Sequence, residues 1–302
     1  MSDRDRHDEA VVTRGGGSDG GAGGGGRGGA TKGPKLYVHV TAPDGPGAPK
    51  AVVGLLHGYA DHGGRYAHVA DAWAEKGLAT VAIDLRGHGR AEGKRGHCER
   101  FSEYLDDAGE LTRLVGERFP GVPPVLFGHS FGGLVAASAV IAHPSPWRAL
   151  ALSGPYLDTA KPVPAAKRFA GRLATRLAPA LSLPTGLAGK DCTHDAARAK
   201  AYDEDPLVFP TATARWFSET QAAQAAAIAR APSLTMPVLL VIGLADPIVS
   251  VERARTFFDA LGSKDKTWEG KEGLFHEVLS EVGWRPIADR YADWILAHAG
   301  ST

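Results

Sequence analysis

Pro124-Val-Leu-Phe-Gly-His-Ser-Phe-Gly-Gly-Leu-Val-Ala-Ala-Ser-Ala-Val-Ile-Ala142 is the stretch whose reading decides the fold. Residues 124–127 form a short apolar run, as in a strand covered on both faces, and 134–142 continue as an apolar helix. Between them Gly128 and Gly132 stand two residues either side of Ser130. Strand, G-x-S-x-G and helix in that order make a nucleophile elbow, a turn that lifts a serine hydroxyl above the sheet. A side chain at Gly128 or Gly132 would collide with the adjoining strand and helix, which is why glycine is needed there. Ser130 is therefore the candidate nucleophile.

Outward from that turn, short β-rich runs alternate with helical stripes. Strands are predicted at 36–40, 51–56, 79–83, 124–127, 149–152 and 238–242, and near Thr267-Trp268. Tyr66, Val69, Ala70, Trp73 and Ala74 fall on one face of a helix, as do Phe101, Tyr104, Leu105, Ala108, Leu111 and Val115. Strand-helix alternation with apolar strands predicts an α/β fold, a mostly parallel, doubly wound sheet whose chemistry gathers at the carboxyl ends of the strands. From Pro155 to Ile228 the alternation stops. This segment carries helical stripes and no convincing strand, so 155–228 is predicted to be a helical lid inserted between core segments 34–154 and 229–302. About seventy residues is several times what one crossover needs. Within it Phe169, Leu173, Leu177 and Leu181 recur every four residues beside Lys167, Arg168, Arg172 and Arg176, the pattern of a basic amphipathic helix. Residues 14–33 are dominated by glycine, and 1–33 are predicted to be a disordered tail.

Composition narrows the function classes. Lys+Arg and Asp+Glu are 34 each in 302 residues, so no basic surplus points to nucleic acid. The glycine tract holds only Arg14 and Arg27 and no aromatic residue for base stacking. Cys98 and Cys192 have neither metal spacing nor the density of a disulfide scaffold. No apolar leader and no membrane-spanning stretch is visible, which predicts a cytoplasmic protein, with peripheral membrane contact through the lid as the one qualification. No His/carboxylate spacing on a single element suggests a metal centre, so neither metal nor other cofactor is expected.

A serine hydroxyl needs a histidine to take its proton and a carboxylate to orient that histidine. In this kind of sheet the chain order is Ser, then acid, then His. Asp246 follows the run 238–242 in a tight turn, and His276 lies in Leu274-Phe-His-Glu-Val before the C-terminal helix. Asp158, after the preceding strand, is the alternative acid. The oxyanion donors expected are the backbone N–H of Phe131 and, from the glycine-bearing loop after an early strand, of Tyr59. His57 is assigned to support that loop, and Asp84, Arg86 and His88 to a structural turn.

Together, His57-Gly58, Asp61-His62-Gly-Gly-Arg65-Tyr66, Asp84-Leu-Arg-Gly-His-Gly-Arg90, Gly128-His-Ser-Phe-Gly-Gly133, Asp205-Pro-Leu207 and His276-Glu277 resemble the α/β-hydrolase superfamily, and within it the monoacylglycerol lipase and lysophospholipase branch. The resemblance spans about Leu36 to Ala299. It implies Ser130, Asp246 and His276 as the triad of a cofactor-independent serine ester hydrolase. It also implies Asp61, Arg65 and Tyr202 as contacts for a glycerol-like leaving group. Tyr59 is bulky for its position and is expected to narrow the acyl or alcohol site. The competing expectations are a small-ester esterase or thioesterase, and a ligand-binding protein of the same fold. An Asp nucleophile, as dehalogenases and soluble epoxide hydrolases need, is absent from the elbow. Oligomeric state is not fixed by the sequence.

Overall fold

Extended apolar runs must satisfy their backbone N–H and C=O groups by pairing. The computed structural model describes residues 6–12, 33–143, 146–161, 171 and 174–300 of the 302-residue chain. Within them lie β1 (Arg6–Val12), β2 (Lys35–Thr41), β3 (Ala51–Leu56), β4 (Leu78–Asp84), β5 (Pro124–His129), β6 (Leu150–Ser153), β7 (Ser182–Pro184), β8 (Thr211–Thr213), β9 (Val238–Gly243) and β10 (Lys266–Lys271). Eight form one sheet in the order β1-β2-β4-β3-β5-β6-β9-β10. Pairing is parallel from β4 through β10, while β2 runs antiparallel to β4, and β1 to β2. The mostly parallel, doubly wound α/β-hydrolase sheet expected from the sequence is the fold observed.

Both faces of the sheet are covered, and the strands show why they read as unbroken apolar runs. In β3, Val52 and Leu56 enter one core layer, whereas Ala51, Val53 and Leu55 enter the other. In β9, Val238, Leu240 and Ile242 alternate in the same way with Leu239 and Val241. The first layer is closed by α2 (Ser102–Arg118), α3 (Phe131–Ala142) and the helix Val251–Ala260. The second is closed by α1 (Ala67–Glu75) and the helix Arg285–Ala299. Trp73, Phe127 and Tyr291 meet edge to face in that second layer, with the Trp73 indole donating to Ala288 O at 2.9 Å. Fully burying one such aromatic side chain stabilises the fold by about 1.5–3 kcal/mol.

Two expectations change. The span assigned to a disordered tail, 1–33, contains β1, which pairs along its whole length with β2, from Arg6 opposite Thr41 to Val12 opposite Lys35. An edge strand needs only one covered face, so the mixed sequence Arg-His-Asp-Glu-Ala-Val-Val serves, although it lacks the apolar run that marks a central strand. Residues 1–5 and 13–32 lie outside the described residues. The segment 155–228 does contain strand, because β7 and β8 pair antiparallel over Ser182–Pro184 and Thr211–Thr213. Three-residue strands are too short to leave a period in the sequence. Of the amphipathic stripe, Phe169 and Leu173, with Lys167, Arg168 and Arg172, lie outside the described residues. Leu177 and Leu181 are exposed, as is Leu183 on β7.

Candidate active site

Ser130 sits where β5 turns into α3, with φ +52° and ψ −119°. Among the described residues only Ser130 and Ala60 are non-glycine residues with positive φ, and both belong to loops at the carboxyl ends of the central strands. Such a conformation costs on the order of 1–3 kcal/mol and persists only where the surroundings impose it. Here the cause is close packing. A Cβ on Gly128 would strike the backbone of Gly132 at the start of α3, and a Cβ on Gly132 would strike the carbonyls of Leu56 and His57 at the end of β3. The Ser130 amide donates to Ser153 O of β6 at 2.9 Å, and Ser130 O accepts from Gly133, Leu134 and Tyr156. The elbow is thus pinned between strand ends and the helix it begins.

His276 and Asp246 come together from two further strand ends. Asp246 follows β9, where its Oδ1 accepts from the amides of Ile248 and Val249 at 2.8 and 2.9 Å. Its Oδ2 lies 2.7 Å from His276 Nδ1. The aspartate therefore holds its own turn with one oxygen and the imidazole with the other. Burial raises the cost of its charge, but the charge and hydrogen bond of His276 and the two backbone donors outweigh it, so its pKa lies below the usual range. For His276 burial alone would lower the pKa, and the Asp246 carboxylate with its hydrogen bond reverses the sign to a raised value. Asp158, the alternative acid, is turned elsewhere: its Oδ1 accepts from Thr159 N and its Oδ2 lies 3.6 Å from Arg253. The His276 loop closes on the elbow, since a Cβ on Gly154, directly after Ser153, would lie 3.4 Å from His276 Nδ1.

The loop after β3 approaches from the other side. A Cβ on Gly58 would lie 3.5 Å from that of Ser130, which brings the Tyr59 backbone next to the serine, while Phe131 opens α3 with its amide at the positive end of the helix. His57 braces the loop: one ring nitrogen contacts Gly58 O at 2.7 Å and the other accepts from Leu85 N at 2.9 Å. Burial lowers its pKa, so it is a neutral strut. His129 is also buried, with its pKa lowered to about 4. Asp84 accepts from the amides of Gly63 and Arg90, Arg86 forks onto Asp107, and His88 stacks on Phe131, so these residues shape the turn beside the site.

Asp61, Arg65 and Tyr202 do converge, with one addition that sequence reasoning missed. Arg65 reaches Asp61 at 3.0 Å and makes two bonds to Glu277 at 3.0 and 2.9 Å, and its guanidinium lies over the Tyr202 ring at 4.7 Å. Glu277 is buried, yet the charge and hydrogen bonds of Arg65 outweigh the burial and hold its carboxyl well below the usual range. Its signal in the sequence is its place in the His276-Glu277 motif, where the carboxylate had no role assigned to it. The Tyr59 side chain is buried too. Its hydroxyl donates to Thr211 O of β8 at 2.7 Å, and its ring packs against Trp216, Phe209 and Phe131. One further cluster, His39, His62 and Asp84, brings together donors that could hold a metal ion.

A family model described as serine aminopeptidase, S33, matches residues 47–283. The chain is 32% identical over 270 residues to a monoacylglycerol lipase of Mycolicibacterium smegmatis, covering 88% of this chain and 94% of that one. It is 29% identical to phospholipase YtpA of Bacillus subtilis, over 77% of this chain and 90% of that one. Among solved structures, the monoacylglycerol lipase of Paleococcus ferrophilus superposes with a TM-score of 0.79 at 29% identity, covering 87% of this chain and 99% of that one.

Proposed function

Since the chain belongs to the serine aminopeptidase S33 family of α/β-hydrolases, as a monoacylglycerol lipase-like carboxylic ester hydrolase, we propose that it cleaves monoacylglycerol- or lysophospholipid-type acyl esters through Ser130, His276 and Asp246. The observation that carries this reading is the 2.7 Å contact between His276 and Asp246 at strand ends adjoining a serine in a strained elbow. Ser130 Oγ attacks the ester carbonyl while His276 Nε2 takes its proton. Asp246 accepts from Nδ1–H and stabilises the imidazolium that forms. The negative oxygen of the tetrahedral intermediate accepts from the backbone N–H groups of Tyr59 and Phe131. Collapse breaks the ester C–O bond, and the alcohol leaves with the proton from His276. Water, deprotonated by the same histidine, then cleaves the acyl-enzyme and restores Ser130.

Asp61, Arg65 and Tyr202, joined by Glu277, form the polar end that orients the leaving alcohol. Because two carboxylates already hold Arg65, it serves as a fixed hydrogen-bond frame with little charge to spare for an anionic head group. That favours a neutral, glycerol-like alcohol. We assign residues 155–228 to the lid, and the exposed Leu177, Leu181 and Leu183 support its contact with lipid. Among the described residues no helix is long and apolar enough to cross a membrane. Labelling with a fluorophosphonate, followed by identification of the modified peptide, tests the nucleophile. Modification should fall on Ser130, and labelling elsewhere in an active preparation would discard the assignment.

A further inference from the structure

We propose that His39 of β2, His62 of the loop after β3 and Asp84 at the end of β4 form a binding site for a divalent transition-metal ion of the Zn²⁺ type. One ring nitrogen of each histidine and one Asp84 oxygen lie within 4.8 Å of one another. His39 Nε2 and Asp84 Oδ1 are already 3.1 Å apart, about the separation of neighbouring donors around tetrahedral Zn²⁺ with bonds near 2.0–2.1 Å. His62 Nδ1 is buried without a hydrogen-bond partner, in a residue only 8% exposed. It lies beside the His39 ring: a single point, where a Cβ on Gly64 would stand, is 3.0 Å from His62 Nδ1 and 3.3 Å from His39 Cε1. A buried ring nitrogen left unpaired carries a desolvation cost that a metal bond would remove.

The outer contacts point the same way. His39 Nδ1 lies 3.2 Å from Asp8 of β1, and His62 Nε2 lies 2.9 Å from Asp205 of the inserted segment. Each histidine thus has a carboxylate on one nitrogen, which leaves the other for the ion, in keeping with the carboxylate–histidine–metal arrangement that orients such ligands. On binding, the ion takes the place of the hydrogen bond between His39 Nε2 and Asp84 Oδ1, and a neutral His39 then carries its single N–H on Nδ1, donating to Asp8. Asp84 is held by the amides of Gly63 and Arg90, so the carboxylate is preplaced. A cavity of about 200 Å³ bounded by Asp8, His39, His62, Thr80, Arg90 and Leu207 leaves room for water on the remaining coordination positions. Two imidazoles and a carboxylate select a borderline ion over Ca²⁺ or Mg²⁺, which take all-oxygen sites. The ion would clamp β1, β2, β4, the loop carrying Tyr59 and the inserted segment, and this assignment stands apart from the esterase proposal.

The test is calorimetric titration of the chelator-treated full chain with Zn²⁺, alongside visible absorption of the Co²⁺-loaded protein and thermal melts. One Zn²⁺ per chain is expected, with a rise in Tm of a few degrees at about a hundredfold excess over Kd. His39→Ala should abolish that binding event, and Asp205→Asn should weaken it about 10–100-fold with stoichiometry kept. Gly64→Ala, whose methyl would crowd His62 Nδ1, is the second variant and should also block the ion. The metal-free melts of the variants separate lost binding from lost folding. Absence of a saturable site, affinity unchanged in His39→Ala, or equal affinity for Mg²⁺ would overturn the proposal.

Discussion

Ser130→Ala removes one hydroxyl from a residue whose backbone, not its side chain, holds the elbow. Its melting temperature should match the parent's while, on the proposed mechanism, ester turnover falls below about one thousandth, as for knockouts of a serine-hydrolase triad. Asp246→Asn should lower turnover by about 10⁴ by leaving His276 in the wrong tautomer, whereas Asp158→Asn should leave it nearly unchanged. A reversed pair of results in steady-state assays would transfer the acid role. The raised pKa of His276 fixes the sign of the pH dependence. Below its pKa the imidazole is protonated and cannot take the serine proton, so kcat/KM should rise with pH through a midpoint above the ordinary histidine value of about 6.5. A midpoint below that value would mean that Asp246 does not charge-stabilise the imidazolium. The three residues proposed for this chemistry could be picked from the sequence because the proposed reaction demands their types, order and position after strands, and the structure pairs His276 with Asp246. Glu277 and His39 could not be picked in this way, since their partners Arg65 and Asp84 lie 212 and 45 residues away and only the folded sheet brings them close.

Strands and helices follow the same division. β3, β4, β5 and β9 were visible as runs because both their faces are buried, whereas β1 mixes charged with apolar residues and β8 is three residues long. The loop after β3 and the inserted segment meet at Tyr59, whose phenol occupies buried space beside Phe131. Sequence alone suggested a side chain at the entrance of the site. The structure makes it interior packing shared with Trp216 and Phe209, so its removal should act on both stability and chain-length selectivity. Across p-nitrophenyl esters, kcat/KM should climb from acetate by up to roughly fourfold per buried CH₂, corresponding to about 0.8 kcal/mol each. Tyr59→Ala keeps the backbone N–H, so it should retain activity on short esters, move the optimum to bulkier acyl groups and lower Tm. A strict acetyl preference untouched by that substitution would replace the lipid-ester proposal with a small-ester esterase.

For the molecule as a whole, β1 closes one edge of an eight-stranded sheet. Removing residues 1–33 deletes all seven of its pairings with β2 and the Asp8 contact to His39, leaving β2 an open edge. Thermal melts should show a loss of several degrees and a greater tendency to aggregate. An unchanged melt for this deletion would mean that β1 contributes nothing to the fold in solution. The bond from the Tyr59 hydroxyl to Thr211 O has a different kind of consequence. It joins the peptide proposed to carry an oxyanion donor to β8 of the inserted segment, so shifting that segment also tugs on the proposed donor. Variants selected for a roomier entrance should therefore trade speed for access, with KM and kcat drifting together. Restoring one without the other would call for a compensating change on the opposite side of that single hydroxyl.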